Sequence, residues 1–507
     1  MRTSFLALMA LVSPAMADPA FQPVEIAQHV YGGGWEHFVG GGLAVFDCNG
    51  DDRPEMLAAG GENPSTLFLN NSTPGNIRFE PMPDGLAITG MTGAYPLDID
   101  GDGTLDLAIL RAGENRLLKG QGECQFTPFD LDLAGGDRWT TAFSATWEAG
   151  QDWPTLAFGN YVDRSDPDGP FEACDDSFLY RPAGKGYGAP IPLTPGFCPL
   201  SALFSDWSRS GHADLRLSND RHYYVRGGQE QMWAMETTPR LLTEADGWQR
   251  HMLWGMGIAQ RDLTGDGLPE VYLTSMGDQR LQVQTGEGAA FVDVPFDLGT
   301  TAHRPYTGGD GRPSTGWHVA FGDVDLNGRD DIFVSKGNVE QMPVAAMLDP
   351  NNLLMQGADG KFVEKGDVAG VASLHRGRGA AMVDFDGDGL LDLAVVNRRA
   401  PLEVWQNVTA TDGNWLAVEL SQPGGNRLAV GAWLELKLGD RILTREITVG
   451  GGQAGGTSVP EHFGLGAAER ADLRVIWPDG AVSDWVVLPI NQTSRIARNG
   501  DTLAVDG

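Results

Sequence analysis

The sequence predicts an all-β protein, a seven-bladed β-propeller followed by a small β-sandwich domain. Three observations carry that prediction. A short acidic loop recurs through most of the chain, every copy is flanked by the same series of β-type runs, and beyond about residue 410 strong β alternation continues without the loop. At 507 residues the chain is also longer than one hydrophobic core usually supports.

The first segment is "MRTSFLALMALVSPAMADPA", with one Arg, an apolar run from Phe5 to Val12, and Ala15-Met16-Ala17. It reads as a secretory signal peptide over residues 1–17, too short in its apolar part to span a bilayer. No later run of eighteen apolar residues follows, so the expectation is an exported protein, periplasmic or secreted, without membrane insertion. The formal charge of −32 argues against nucleic acid and anionic membranes as partners. A hydrophobic share of 41% and 14 Trp argue for a folded chain despite the acidity.

The propeller is expected over residues 18–409. Counting Asp384 of "DFDGDGLLD" as position 1, ligand-type side chains recur at positions 1, 3, 5 and 9. The intact copies supply Asp47, Asn49, Asp51 and Glu55; Asp98, Asp100, Asp102 and Asp106; Asp262, Thr264, Asp266 and Glu270; Asp323, Asp325, Asn327 and Asp331; and Asp384, Asp386, Asp388 and Asp392. Two worn copies lie between them: "DWSRSGHAD" keeps Asp206, Ser208, Ser210 and Asp214, and "WEAGQDWPT" keeps only the frame. The loops start at 47, 98, 147, 206, 262, 323 and 384, a spacing that suits propeller blades better than a solenoid.

Each unit shows a Gly-rich apolar run, the loop, a short β run such as "DLAVVN", and a strand–turn–strand signal such as "NLLMQGADGKFVEK". The last unit lacks a fourth strand after "LEVWQN", and "FQPVEIAQ" at 21–28 is expected to supply it by pairing antiparallel with 402–406.

An all-oxygen ligand set suits a hard cation, and Ca²⁺ in particular, because Mg²⁺ is reluctant to enter an all-protein cage. Positions 1, 3, 5 and 9 are expected to ligate through side chains and position 7 through its carbonyl, from Arg53, Thr104, Leu268, Arg329 and Leu390. About five Ca²⁺ are expected, in a structural role. Gly at position 6 permits the sharp turn in four of the five loops, with Asp52 the exception. An EF-hand needs flanking helices and a closing Glu at position 12, and neither is present.

Cys48, Cys124, Cys174 and Cys198 contain no C-x-x-C pair, and in an exported chain they read as two disulfides with three possible connectivities. Cys174 and Cys198 bracket one outer hairpin beside a worn loop, while Cys48 and Cys124 would staple neighbouring blades. That placement favours 174–198 with 48–124.

The loops resemble FG-GAP/VCBS repeats, found in seven-bladed integrin-α-like propellers. The region 410–507, with "HFGLG" at 462–466 and "LRVIWPDG" at 473–480, resembles the ASPIC/UnbV domain of cartilage-acidic-protein-like proteins and their bacterial relatives. "GGGQAGGTS" departs from the Ser-Gln expected after the glycines. The resemblance implies a calcium-binding exported protein with no generally established enzymatic activity.

Propellers bind ligands at a channel mouth, and here the starts of the inner strands bring Trp35, His37, Arg138, Trp139, His251, Trp254, Trp317, His318, His375, Arg376 and Arg378 toward one end. The expectation is a binding or assembly module for a protein or glycan. The alternative is a periplasmic or secreted enzyme with a His/Arg/Trp site at that mouth, although no standard catalytic motif supports one.

Overall fold

Seven antiparallel blades follow one another around an axis, their inner strands being Leu43–Phe46, Met91–Leu97, Asp137–Thr146, Pro199–Ser205, Gly255–Arg261, Gly316–Gly322 and Arg376–Val383. The second and third blades are joined into one sheet where residues 137–139 pair with 112–114. The computed structural model describes residues 18–506 apart from 84, 168–171, 221–226, 287 and 501, so the expected signal peptide lies outside the described residues. Each inner strand runs into a nine-residue loop and returns antiparallel, as Val383 opposite Asp392 and Phe46 opposite Glu55 illustrate. Both faces of each sheet are buried between neighbouring blades, which is why the second strands read as continuous apolar runs such as Leu107–Leu110.

The ring is closed by Phe21–Val24, which pairs antiparallel with Glu403–Asn407 on the outer edge of the seventh blade, Phe21 opposite Asn407 and Val24 opposite Val404. The strand is shorter than the sequence suggests: residues 25–28 leave the sheet, and contact resumes at a bridge between Val30 and Pro401. Disulfides join Cys48 to Cys124 and Cys174 to Cys198, the pairing that blade placement favours.

The C-terminal region is a sandwich. One sheet orders Glu461–Gly466, Asn414–Ser421, Thr493–Asn499 and Thr502–Asp506; the other orders Arg441–Glu446, Trp433–Leu438, Ala471–Ile476 and Val486–Leu488. Leu416, Val418, Leu434, Leu436, Phe463, Leu473 and Val475 form its core.

The sandwich sends residues 449–456 into the propeller channel. Val449 O accepts from Ala145 N at 3.0 Å, Gly451 N donates to Ala202 O at 2.7 Å, Gly452 N donates to Ile258 O at 2.7 Å, and Gly456 O accepts from Val45 N at 3.1 Å. With Gly456 N also donating to Ala94 O at 3.1 Å, the insertion reads the inner strands of five successive blades with its backbone. Its closeness explains two inner-strand glycines: a Cβ on Gly42 or Gly93 would lie 1.7 or 1.8 Å from Ala454 O.

Candidate metal centres and the channel ends

All five intact loops share one backbone frame. In four of them the position 1 carboxylate accepts the amides of positions 4 and 6, as in Asp384 with Gly387 and Gly389, both at 2.8 Å, and Asp262 with Gly265 and Gly267 at 2.7 and 3.0 Å. In the sixth, Asp323 accepts those of positions 5 and 6, Asn327 and Gly328, at 3.0 and 2.6 Å. The position 9 carboxylate accepts the position 2 amide, and in three blades also an amide of the third strand. Asp392 receives Phe385 N and Asn407 N, Asp331 receives Val324 N and Gln356 N, and Asp106 receives Ile99 N and Gly120 N.

Position 6 takes positive φ in every intact loop: Gly103, Gly267, Gly328 and Gly389 lie between 82° and 93°, and Asp52 adopts 66°. Asp52 therefore fits the same turn, since a short polar side chain tolerates the left-handed region. Position 4 carries the same demand, with Gly50, Gly101, Gly265 and Gly387 at positive φ and Leu326 at 54°. Sequence reading identified only the position 6 requirement, although the recurring D-x-x-G spacing held the other.

The frame gathers carboxylates. In the second, sixth and seventh blades, positions 1, 3 and 9 each offer an oxygen within 4.8 Å of the others: Asp98, Asp100 and Asp106; Asp323, Asp325 and Asp331; Asp384, Asp386 and Asp392. Burial, reinforced by neighbouring carboxylates, pushes Asp384 up to about 7 and Asp386 up to about 6, and raises Asp323, Asp331 and Asp392 well above the ordinary carboxylate range. Asp325 Oδ1 and Asp100 Oδ1 are buried without a hydrogen-bond partner. Orphaned oxygens in an all-oxygen cluster fit a hard divalent cation.

The first and fifth loops carry Asn49 and Thr264 at position 3, which bond the closing acids, Asn49 Nδ2 to Glu55 at 3.1 Å and Thr264 Oγ1 to Glu270 at 3.2 Å. Burial raises both glutamates to about 7. Position 5 turns its carboxylate onto the position 7 amide in four loops, Asp51 to Arg53, Asp102 to Thr104, Asp266 to Leu268 and Asp388 to Leu390. In the sixth loop Arg329 instead reaches Asn327 at 3.4 Å.

The sandwich docks on this loop face. His462 Nε2 lies 2.9 Å from Gly389 O with its ring stacked on Trp415, Arg445 pairs with Asp330 at 3.1 Å, and Arg495 pairs with Asp52. Glu446 is half-buried against the worn fourth loop, accepting Ser205 Oγ at 2.6 Å, Asp206 N at 2.7 Å and Gln260 Nε2 at 2.7 Å; desolvation pushes its carboxyl up to about 7.

The other end of the channel departs from the open mouth that the sequence suggests. Trp139, Trp317, Val39, Leu200 and Met256 pack into one buried cluster that fills it. Trp317 Nε1 donates to Gly337 O at 2.7 Å, and the buried Arg378 guanidinium lies 3.9 Å over its ring while donating to the carbonyls of Phe38, Gly377 and Val339. His37 and His251 are buried, and burial lowers both, His251 to about 4. His318 faces the inserted loop, where its Nδ1 accepts Gln453 N at 3.1 Å. Arg138 pairs with Asp175 at 2.9 Å, and Arg376 lies 3.5 Å from Glu340. Trp35 is 41% exposed and stands edge-on to Trp139, and His375 is exposed. The physical reason is steric: large rings at the start of the inner strands fill the narrow ring from within.

These features define the class: a propeller with repeated acidic loops, capped on the loop face by a β-sandwich. Consistently, the FG-GAP-like repeat family matches residues 47–109 and 262–334, and the ASPIC and UnbV family matches residues 422–502. The chain is 37% identical over 113 residues to cartilage acidic protein 1 of Xenopus tropicalis, a match covering 21% of this chain and 17% of that protein. It is 36% identical over 111 residues to the Homo sapiens protein of the same name, with 21% and 16% covered. The matched region thus spans about a sixth of these relatives. Among solved structures, BBS1N in complex with ARL6DN aligns at a TM-score of 0.45 and 10% identity, covering 78% of this chain and 99% of that one. The extracellular domain of the putative hybrid two component system BT3049 from B. thetaiotaomicron aligns at 0.42 and 8%, covering 94% and 58%.

Proposed function

We propose that the protein is exported and acts as a calcium-stabilised binding or assembly module for a protein or glycan partner. The observation that carries the metal reading is the set of buried, mutually close carboxylates at Asp98/Asp100/Asp106, Asp323/Asp325/Asp331 and Asp384/Asp386/Asp392. Bound Ca²⁺ would supply divalent charge to acids that burial otherwise disfavours. Positions 1, 3, 5 and 9 would hold it with the position 7 carbonyl, in the first and fifth loops through Asn49 and Thr264 as well as the acids.

Two disulfides accord with export, and among the described residues no helix is long and apolar enough to cross a membrane. A binding role rests on the propeller class and its outer surface, since the channel is filled at both ends. No observation favours the enzyme reading, because His37, His251, Trp317 and His318 are buried.

Elemental analysis of purified protein is expected to find about five calcium ions, and a glycan array together with pull-down from the native envelope is expected to find the partner. Metal-free protein of unchanged stability would refute the metal reading.

A further inference from the structure

We infer that Lys119 is a built-in cation of the second blade that competes with calcium for its loop, making this site weaker than its four-aspartate counterpart in the seventh blade. This rests on the calcium reading above.

Five third-strand positions are equivalent, each opposite the position 9 acid in the sheet register. They follow from the pairs Met56 with Phe68, Leu107 with Leu118, Val271 with Gln282, Ile332 with Leu354 and Leu393 with Trp405. The next step along each strand gives Leu69, Lys119, Val283, Met355 and Gln406. Four of these side chains are uncharged. Only Lys119 brings a positive charge, and it is spent on the loop: Nζ bonds Asp100 and lies 2.9 Å from Asp102 Oδ2. The ring of Phe129 stands 5.2 Å from the same nitrogen.

The seventh blade is the natural control. It carries the same four aspartates, and its equivalent side chain makes the equivalent contact, Gln406 Nε2 to Asp386 Oδ2 at 3.0 Å, without charge. A lysine and a calcium ion cannot both take full possession of positions 3 and 5, because each needs the same oxygens and they repel one another. Asp100 Oδ1 remains unpartnered beside the ammonium, so the loop keeps a residual appetite for a cation.

The test is a calcium titration read by native mass spectrometry on the full mature chain, comparing wild type, Lys119→Met and Gln406→Lys. Lys119→Met keeps the aliphatic stem and is expected to fill one more site at a calcium level where wild type leaves this one empty. The half-saturation of that site is expected to fall by about tenfold or more, from loss of a unit charge a few ångströms from a divalent ion. Adding Asp106→Asn to Lys119→Met removes the gained ion and so locates it. Gln406→Lys is expected to lose one ion at the same calcium level. Identical titrations of all three proteins would overturn the inference alone. Absence of bound calcium in every protein would overturn the metal reading and the inference with it.

Discussion

The loops of the seventh and fourth blades share one backbone frame and hold it by opposite means. In the seventh, Asp384 receives two loop amides while Asp386, Asp388 and Asp392 crowd beside it, and burial raises all four carboxyls. In the fourth, Asp206 likewise receives two loop amides, here those of positions 5 and 6, Ser210 N at 2.7 Å and Gly211 N at 2.9 Å, but Ser208 and Ser210 replace the acids at positions 3 and 5. The closing Asp214 there bonds Trp207 Nε1 and Met235 N. The third blade goes further, with Arg181 Nε reaching Glu148 at 2.7 Å in place of any cluster. In the fourth loop the turn therefore needs only the position 1 acid and two left-handed residues, Arg209 and Gly211. The remaining acids add a demand for positive charge, which a lysine meets in the second blade and which the proposed calcium would meet elsewhere.

The largest effect expected from this difference is the response to chelation. A site held at a hundredfold excess over its Kd contributes about 2.7 kcal/mol, so loss of several ions should lower Tm by many degrees. Hydrogen exchange is expected to rise most in the loops of the sixth and seventh blades and least in the third and fourth. Uniform exchange across the ring would break the comparison.

The disulfide Cys174–Cys198 supports the region that lacks acidic clusters. Cys174→Ser with Cys198→Ser should cost about 2–4 kcal/mol. Measured in a chelator, that loss should persist, because the third and fourth loops lack the acidic set proposed to hold calcium.

Glu446 links the fourth loop to the sandwich and provides a pH test. Its folded carboxyl is raised to about 7, above its unfolded range, so its folded state prefers the proton. Stability from this group is highest below the unfolded pKa and is lost as pH rises toward 7, by up to about 3 kcal/mol. Glu446→Gln should therefore match wild type near pH 4.5 and exceed it at pH 8. A constant difference in Tm across that range would reject the assignment.

The smallest effect contrasts two position 5 acids in metal-free protein. Asp388→Asn should stabilise, since burial raises that carboxyl against the opposing bonds from the Leu390 amide and Asp386. For Asp102 burial also pushes upward, but the bonds from Lys119 and the Thr104 amide outweigh it and hold the carboxyl low. Asp102→Asn should cost at most about 0.5 kcal/mol, because that pair is partly exposed. Denaturant midpoints of the two variants should move in opposite directions.

Local chemistry made much of the molecule legible in advance. The period of the acidic loops, the β runs around them, the spare strand at Phe21–Val24 and the cysteine placement all follow from short-range pattern, because a propeller blade is one repeated local unit. The position 9 acids were legible too, since a carboxylate that staples two strands must recur at one spacing.

Tertiary structure alone decided the rest. Residues 449–456 carry glycines without side-chain pattern, and only a closed ring of inner strands turns their backbone into a channel filling. Trp317, Trp139 and His37 look like a ligand mouth in sequence, and only the narrowness of the ring makes them core. Lys119 lies far from its aspartates along the chain, and its role appears only when the sheet register lays it across the loop. The physical reason is common to all three: chain pattern encodes what a residue can do for its own strand and turn, while contacts across the ring depend on where seven such units bring them.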